Sequence, residues 1–212
     1  MKYVRVSTLD LYRKILQKDY VKEDDLVETL RRGQFLNNAD HNEWSQAGMD
    51  WHEAMGMNWH DAGELVLCGS TTFRKDDIIS AQMHAGDGLR ELKGSALFYC
   101  HAVKVRLCGT CDHLYGNMIR DYKCKFSKLE VVDYEPSLQW RAYLHIFGCS
   151  RFVYDFFVMD IDKDKVCRLK EVNSVGFWHY DRLEQDLAEW IGDFLAWAES
   201  KGLSEYLKTP PL

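Results

Sequence analysis

Arg151-Phe-Val-Tyr-Asp155-Phe-Phe-Val-Met-Asp-Ile161-Asp-Lys-Asp-Lys-Val-Cys-Arg-Leu-Lys-Glu171-Val-Asn173 sets two apolar runs on either side of a short charged turn. That pattern predicts a β-hairpin. Side chains of a strand alternate between faces, so Glu171 and Asn173 share one face. A loop of Asp162, Lys163 and Asp164 pairs Ile161 with Lys165 and sets Asp155 opposite Glu171. Directly opposed residues of an antiparallel pair point the same way. The expected result is one oxygen-rich cluster of Asp155, Glu171 and Asn173, which suits a hard cation such as Mg²⁺. The other reading is a solvated hairpin whose acids face water.

The bulk composition bounds what such a site can serve. A chain of 212 residues fits one large domain or two small lobes. Apolar residues at 46% and aromatics at 13% supply a substantial core and argue against extended disorder. The net charge is −6 and no long Lys/Arg run occurs, which disfavours a general nucleic-acid groove. The seven cysteines are Cys68, Cys100, Cys108, Cys111, Cys124, Cys149 and Cys167, an odd number. Met1-Lys-Tyr-Val-Arg-Val is too short and too charged for the apolar part of a signal peptide. No apolar run approaches the ~18 residues of a membrane span. The expectation is a cytoplasmic protein with free thiols and no membrane partner.

Along the chain, residues 3–6 read as a strand and Ser7 or Thr8 as the cap of a helix carrying Leu11, Ile15 and Leu16. Residues 24–32 read as a helix stopped by Gly33. Residues 37–63, punctuated by Gly48, Gly56 and Gly63, read as short helices and loops. A strand at 65–68 precedes helices at 76–83 and 87–93. From residue 96 the pattern turns to β. Val103, Val105 and Leu107 lie on one face of a strand, with Lys104 and Arg106 on the other. Strands are expected at 118–126 and 130–134, and a helix at 137–147. Asp181-Arg-Leu-Glu184 reads as a capping box opening an amphipathic helix of Leu183, Leu187, Trp190, Ile191, Phe194 and Ala198, with Gly202 as its stop.

The hairpin also carries a family resemblance. Phe152-Val-Tyr-Asp155 followed by Leu169-Lys-Glu171-Val-Asn173 resembles the metal-binding end of ATP-grasp enzymes. It is most similar to the small ATP-grasp proteins of phage and bacterial genomes, and is similar also to the ATP-grasp factor that assembles a eukaryotic translation-initiation complex. The resemblance spans roughly residues 65–180 and is specific at 151–173. It implies an α+β fold with antiparallel sheets and a packed C-terminal amphipathic helix. It further implies that Asp155, Glu171 and Asn173 hold the Mg²⁺ of Mg-ATP, and that Lys75, Lys104 and Arg106 contact the phosphates. Fixed cations of this kind stabilise a transferring phosphoryl group, and Arg106 takes the catalytic part. The implied reaction is carboxylate–amine ligation through an acylphosphate, on a carboxylate or amine substrate that could be a protein or peptide. This chain departs from the family pattern in lacking a glycine-rich phosphate loop and an acid just before residue 102. Residues 1–63 then form a helical or mixed region ahead of an ATP-grasp-like unit over 64–212.

Three other features compete. Cys100-His101, Cys108-x-x-Cys111-x-His113 and Cys124 could supply zinc ligands, but only one C-x₂-C is present. Buried free cysteine is the alternative reading, and all seven thiols are expected reduced with no zinc bound. Trp51-His52-Glu53 and Trp59-His60-Asp61 match neither the zincin nor the deaminase signature, so both histidines are assigned to the surface or to caps. A different class of function also fits the acidic second half: a non-enzymatic immunity or adaptor protein of the Smi1/Knr4-like type, neutralising a basic partner.

Overall fold

β7 (Arg151–Ile161) is buried along residues 152–157 without interruption, which an alternating strand cannot be unless both its faces are covered. The computed structural model describes residues 1–17, 22–33, 43–100, 102–127, 132 and 134–208. β7 pairs in parallel with β6 (Met118–Lys125) and antiparallel with β8 (Val166–Trp178). The sheet continues through β8 to β3 (Thr71–Arg74) and β2 (Leu65–Cys68). On the other side β6 leads to β5 (Val103–Tyr115) and β1 (Lys2–Arg5), while β4 (Leu89–Cys100) pairs along β5. The class is α+β, with a mixed rather than a purely antiparallel sheet.

Helices cover both faces. On one, α1 (Val6–Leu16), α2 (Glu23–Arg32), α5 (Leu138–Phe147) and α6 (Leu183–Ser200) bring Leu9, Leu26, Leu144, Ile191 and Phe194 against Phe152, Tyr154 and Phe156. On the other, α3 (Glu43–Gly56) and α4 (Lys75–Ala85) bring Trp51 and Ile78 against Phe73, Tyr122 and Phe157. Burying each such large side chain contributes about 1.5–3 kcal/mol. Residues 1–63 therefore give the sheet a strand and give both cores helices.

The amphipathic C-terminal helix forms where its apolar period places it, Ser137 caps α5 by accepting the Gln139 N–H at 3.1 Å, and Gly33 ends α2 in the left-handed conformation. Other expectations differ. α1 begins at Val6 and α6 after Arg182, neither with a side-chain cap, so the Asp181–Glu184 box does not form. Residues 89–93 open a strand rather than continue a helix. Half of that strand faces solvent, so its polar residues hide the alternation. Residues 43–56 form one unbroken helix despite Gly48. Of the strand expected at 130–134, Tyr134 lies in a turn, Val132 in a helical turn, and the rest outside the described residues.

The hairpin forms with a different register. Its turn is longer, running from Asp162 to Val166, with Ile161 opposite Cys167. A bulge between Val158 and Met159 then adds one residue to β8, and an odd shift moves every later side chain to the other face. Asp155 comes to lie opposite Ser174, while Glu171 faces Val158 and Asn173 faces Phe156. Asp155 thus points away from the side that carries Glu171 and Asn173. It is fully buried, and Glu171 is exposed.

β5 has one edge paired along β4 and the other shared between two strands. Residues 105–108 pair with β1 and residues 113–115 with β6, which leaves a fork around 109–112. Tyr143 of α5 fills it, its hydroxyl donating to the Thr110 carbonyl at 2.7 Å. Gly109 makes this possible, since a Cβ there would sit 2.5 Å from the Tyr143 ring.

Candidate active site

The fork gathers ionisable side chains. Asp112 lies on β5 beside it, and Asp121 and Lys123 lie two residues apart on β6, hence on one face. The Asp112 carboxylate accepts the Tyr122 N–H at 2.7 Å. Lys123 Nζ pairs with Asp121 Oδ2. Glu91 is the β4 residue directly across from Asp112, between the Arg90–His113 and Leu92–Cys111 pairs, and it adopts a left-handed φ of 49°. His52 comes from α3, with Nδ1 3.6 Å from Asp112 Oδ2. His52, Glu91 and Asp112 each offer a ligand atom, all within 4.8 Å of one another. Among the described residues this is the one such group of three or more.

The electrostatics follow from crowding acids in a poorly solvated place. Burial, reinforced by the charges of Asp121 and Glu91, raises the Asp112 carboxyl well above the ordinary aspartate range. Glu91 is raised by burial and by Asp121. Burial alone would lower Lys123, but Asp121 and Asp112 outweigh it and keep its ammonium more basic than usual. Burial lowers His52 against the pull of Asp121, so its imidazole is neutral at pH 7. Crowded carboxyls with raised pKa values beside a neutral imidazole form an oxygen-rich donor set of the kind that suits a divalent cation. A cleft of about 410 Å³, lined by Trp44, Met49, His52, Tyr122 and Lys123, opens beside it.

The residues expected from the hairpin lie elsewhere. Asp155 is an anion inside a buried network, accepting from Arg120 at 2.6 Å and Ser174 at 2.6 Å, with His84 at 3.2 Å. Lys75 opens α4 and donates to the Ala62 carbonyl at 2.9 Å, four strands along the sheet from β5. Lys104 stacks over the Tyr99 ring at 5.9 Å, and Arg106 donates to Ser95 Oγ at 3.1 Å. Lys104 and Arg106 do share a strand face. The seven cysteines are free thiols, and none joins a metal-ligating group with the described histidines; His101 lies outside the described residues. His52 is neither a surface nor a capping residue but part of the acidic site.

No family model matches the sequence, and no curated protein matches it. Solved structures do match. The alkaline exonuclease LHK-Exo from Laribacter hongkongensis aligns at 14% identity over 97% of this chain and 91% of its own, with a TM-score of 0.56. The chain shares the fold of LHK-Exo. The LHK-Exo complex with dAMP gives 15% identity over the same shares and a TM-score of 0.55. SSO0001 gives 11% identity over 93% of this chain and 77% of that one, with a TM-score of 0.54.

These likenesses overturn the ATP-grasp resemblance, and with it the ligase chemistry, the ATP cofactor and the carboxylate or amine substrate. They equally displace the Smi1/Knr4-like alternative. The expectation that nucleic acid is no partner falls too, since the fold is shared with an exonuclease that has also been solved with dAMP. Net charge is a weak guide to partners because it averages over the surface and hides local patches of either sign. Among the described residues no helix is long and apolar enough to cross a membrane.

Proposed function

We propose that this chain is a divalent-cation-dependent nuclease, hydrolysing phosphodiester bonds of DNA at the fork between β5 and β6. The observation that carries the reading is the convergence of Asp112, Asp121 and Lys123, with Glu91 and His52, in a fold shared with an alkaline exonuclease. An acid on one strand and acid-x-Lys on the next is similar to the PD-(D/E)XK pattern of lambda-exonuclease-like enzymes.

Asp112, Glu91, Asp121 and His52 would hold the cation, and Mg²⁺ or Mn²⁺ suits a set dominated by carboxylate oxygens. Such a cation, when bound, lowers the pKa of its water and polarises a phosphoryl oxygen. Lys123 is fixed by Asp121 and stays protonated, so it can face the charge that builds on the phosphoryl oxygens as the water–phosphorus bond forms and the bond to the leaving sugar oxygen breaks. Tyr122 holds the Asp112 carboxylate in place through its backbone N–H. The proposed location is the cytoplasm.

The test is digestion of end-labelled linear duplex and single-stranded DNA with Mg²⁺ or Mn²⁺. Nucleotide release that EDTA stops and Asp121→Asn abolishes supports the reading. Wild-type protein that leaves both substrates intact with either metal refutes it.

A further inference from the structure

The β4–β5 ribbon extends well beyond the acidic site, and its solvent-facing side changes character. Glu91 and Asp112 stand at one end. Moving away from them, that face carries Lys93 opposite Thr110, Ser95 opposite Cys108, Leu97 opposite Arg106 and Tyr99 opposite Lys104. Arg5 joins from β1, paired with Cys108. A cleft of about 660 Å³ lies there, lined by Arg5, Lys93, Ser95, Arg106 and Tyr143.

Among the described residues the cations of this face have no carboxylate in an ion pair with them. Among the described residues Arg106 contacts a serine hydroxyl and Lys104 an aromatic ring, and no carboxylate pairs with Arg5 or Lys93. In a chain of net charge −6, Arg5, Lys93, Lys104 and Arg106 gather on one face. On that face Tyr99 is 72% and Leu97 41% exposed, an aromatic and an apolar side chain beside the cations. Cations that follow a backbone, together with exposed rings on which bases stack, are the elements of a single-strand track.

We propose that the exposed face of β4–β5 is a track for one nucleic-acid strand, with Arg5, Lys93 and Arg106 binding consecutive backbone phosphates. The proposal rests on the nuclease reading for where the strand leads. From Asp112 to Arg106 the distance is about 20 Å at about 3.4 Å per residue. Lys93, opposite Thr110, lies two residues or about 7 Å from Asp112, so the cleft holds the phosphates next to the bond being cut and those beyond it, while its residues stand outside the group of His52, Glu91 and Asp112. A strand is favoured over an acidic peptide because the cationic face runs directly into the acidic site.

The experiment compares wild-type protein with the triple variant Arg5→Gln, Lys93→Gln, Arg106→Gln, with Lys170→Gln as a surface control. Affinity for a 20-nucleotide single strand without terminal phosphates is measured by fluorescence anisotropy in EDTA across a salt series. Each phosphate contact contributes about 0.7 to the slope of log K against log salt. The triple variant should flatten that slope by about 2 with an unchanged melting temperature, and Lys170→Gln should not move it. Turnover of thymidine 5′-(p-nitrophenyl phosphate), which reaches only the acidic site, should stay within twofold. An unchanged slope in the triple variant overturns the track, as does binding that requires a 5′-phosphate or is displaced by inorganic phosphate alone. Wild-type protein that binds the strand with the expected slope but cleaves neither DNA nor the ester refutes the nuclease and leaves the track standing.

Discussion

Asp112 Oδ2 accepts the backbone N–H of Tyr122 at 2.7 Å, so a side chain of β5 takes a ladder bond that a β5 carbonyl would otherwise make. The two strands part at this point, and Asp121 and Lys123 flank Tyr122 on β6. The fork is what lets acids from neighbouring strands approach without an intervening rung. It also stores unfavourable electrostatics, because Asp112 sits beside Asp121 and Glu91 with little water to screen them.

Asp112→Asn should therefore stabilise the metal-free protein while destroying its activity. The asparagine oxygen still accepts from Tyr122, and the repulsion is gone. Asp112 has a raised folded-state pKa, so its stability contribution is fully present below the ordinary aspartate value and is lost as pH rises through the folded one. The melting temperature of the variant should exceed that of wild type by a few degrees at pH 8 in EDTA, since about 1 kcal/mol moves a domain of this size by 2–4 °C. The gap should close as pH falls toward 4. Adding Mg²⁺ should raise wild type and not the variant. A gap that widens on acidification refutes the account.

Lys123→Gln should slow cleavage about 10²–10³-fold, the usual loss when one fixed charge facing the transition state is removed. Strand affinity in EDTA should change little, because Lys123 is already paired with Asp121. Single-turnover cleavage and anisotropy on the same protein separate the two effects. A variant that binds tenfold more weakly but cleaves bound DNA at the wild-type rate would reassign Lys123 to substrate binding.

Part of this site was legible. Residues 118–126 read as a strand, and alternation alone puts Asp121 and Lys123 on one side with an acid nine residues earlier at Asp112. The neighbouring Cys108 and Cys111 mask it, because C-x₂-C is a more recognisable pattern than D-x-K. His52 and Glu91 were harder to find. His52 sits on a helix whose glycines and polar residues obscure its period, and Glu91 begins a strand with a positive φ that no pattern announces. The hairpin shows the opposite case. Its two strands and their general pairing were plain, but the site inferred from them depended on parity. One bulge residue at Val158/Met159 was enough to part Asp155 from Glu171. Register is a tertiary outcome of packing on both faces of β7, and local sequence carries little of it.

Gly109→Ala should destabilise by about 1–3 kcal/mol, the range for overpacking a filled interior. The added Cβ would meet the Tyr143 ring at 2.5 Å and Val6 at 3.0 Å, so either α5 or the start of α1 must yield. Tyr143→Phe keeps the ring and removes only the bond to Thr110, and should cost about 1 kcal/mol. Urea unfolding of both variants checks the order. Gly109→Ala as stable as wild type would show that the fork is not tightly wedged.

Asp155 gives the last prediction, because it separates a structural anion from a metal ligand. It is fully buried and accepts from Arg120 and Ser174, with His84 in reach, so its charge is already compensated. Asp155→Ala removes one partner of a buried pair and strands Arg120, which costs about 3–5 kcal/mol, or a fall of roughly 10 °C in melting temperature. The double change Arg120→Met with Asp155→Leu removes both charges and should recover most of that loss, since apolar groups of similar size replace a buried pair at little cost. In all of these proteins Mg²⁺ should still raise the melting temperature as expected of wild type, because the proposed cation site is at Asp112 and not at the hairpin. Glu171→Gln should leave both stability and the Mg²⁺ shift unchanged, as its side chain is exposed on the opposite face. A Mg²⁺ shift that disappears in the double variant or in Glu171→Gln would place the cation at the β7–β8 hairpin and remove it from the β5–β6 fork.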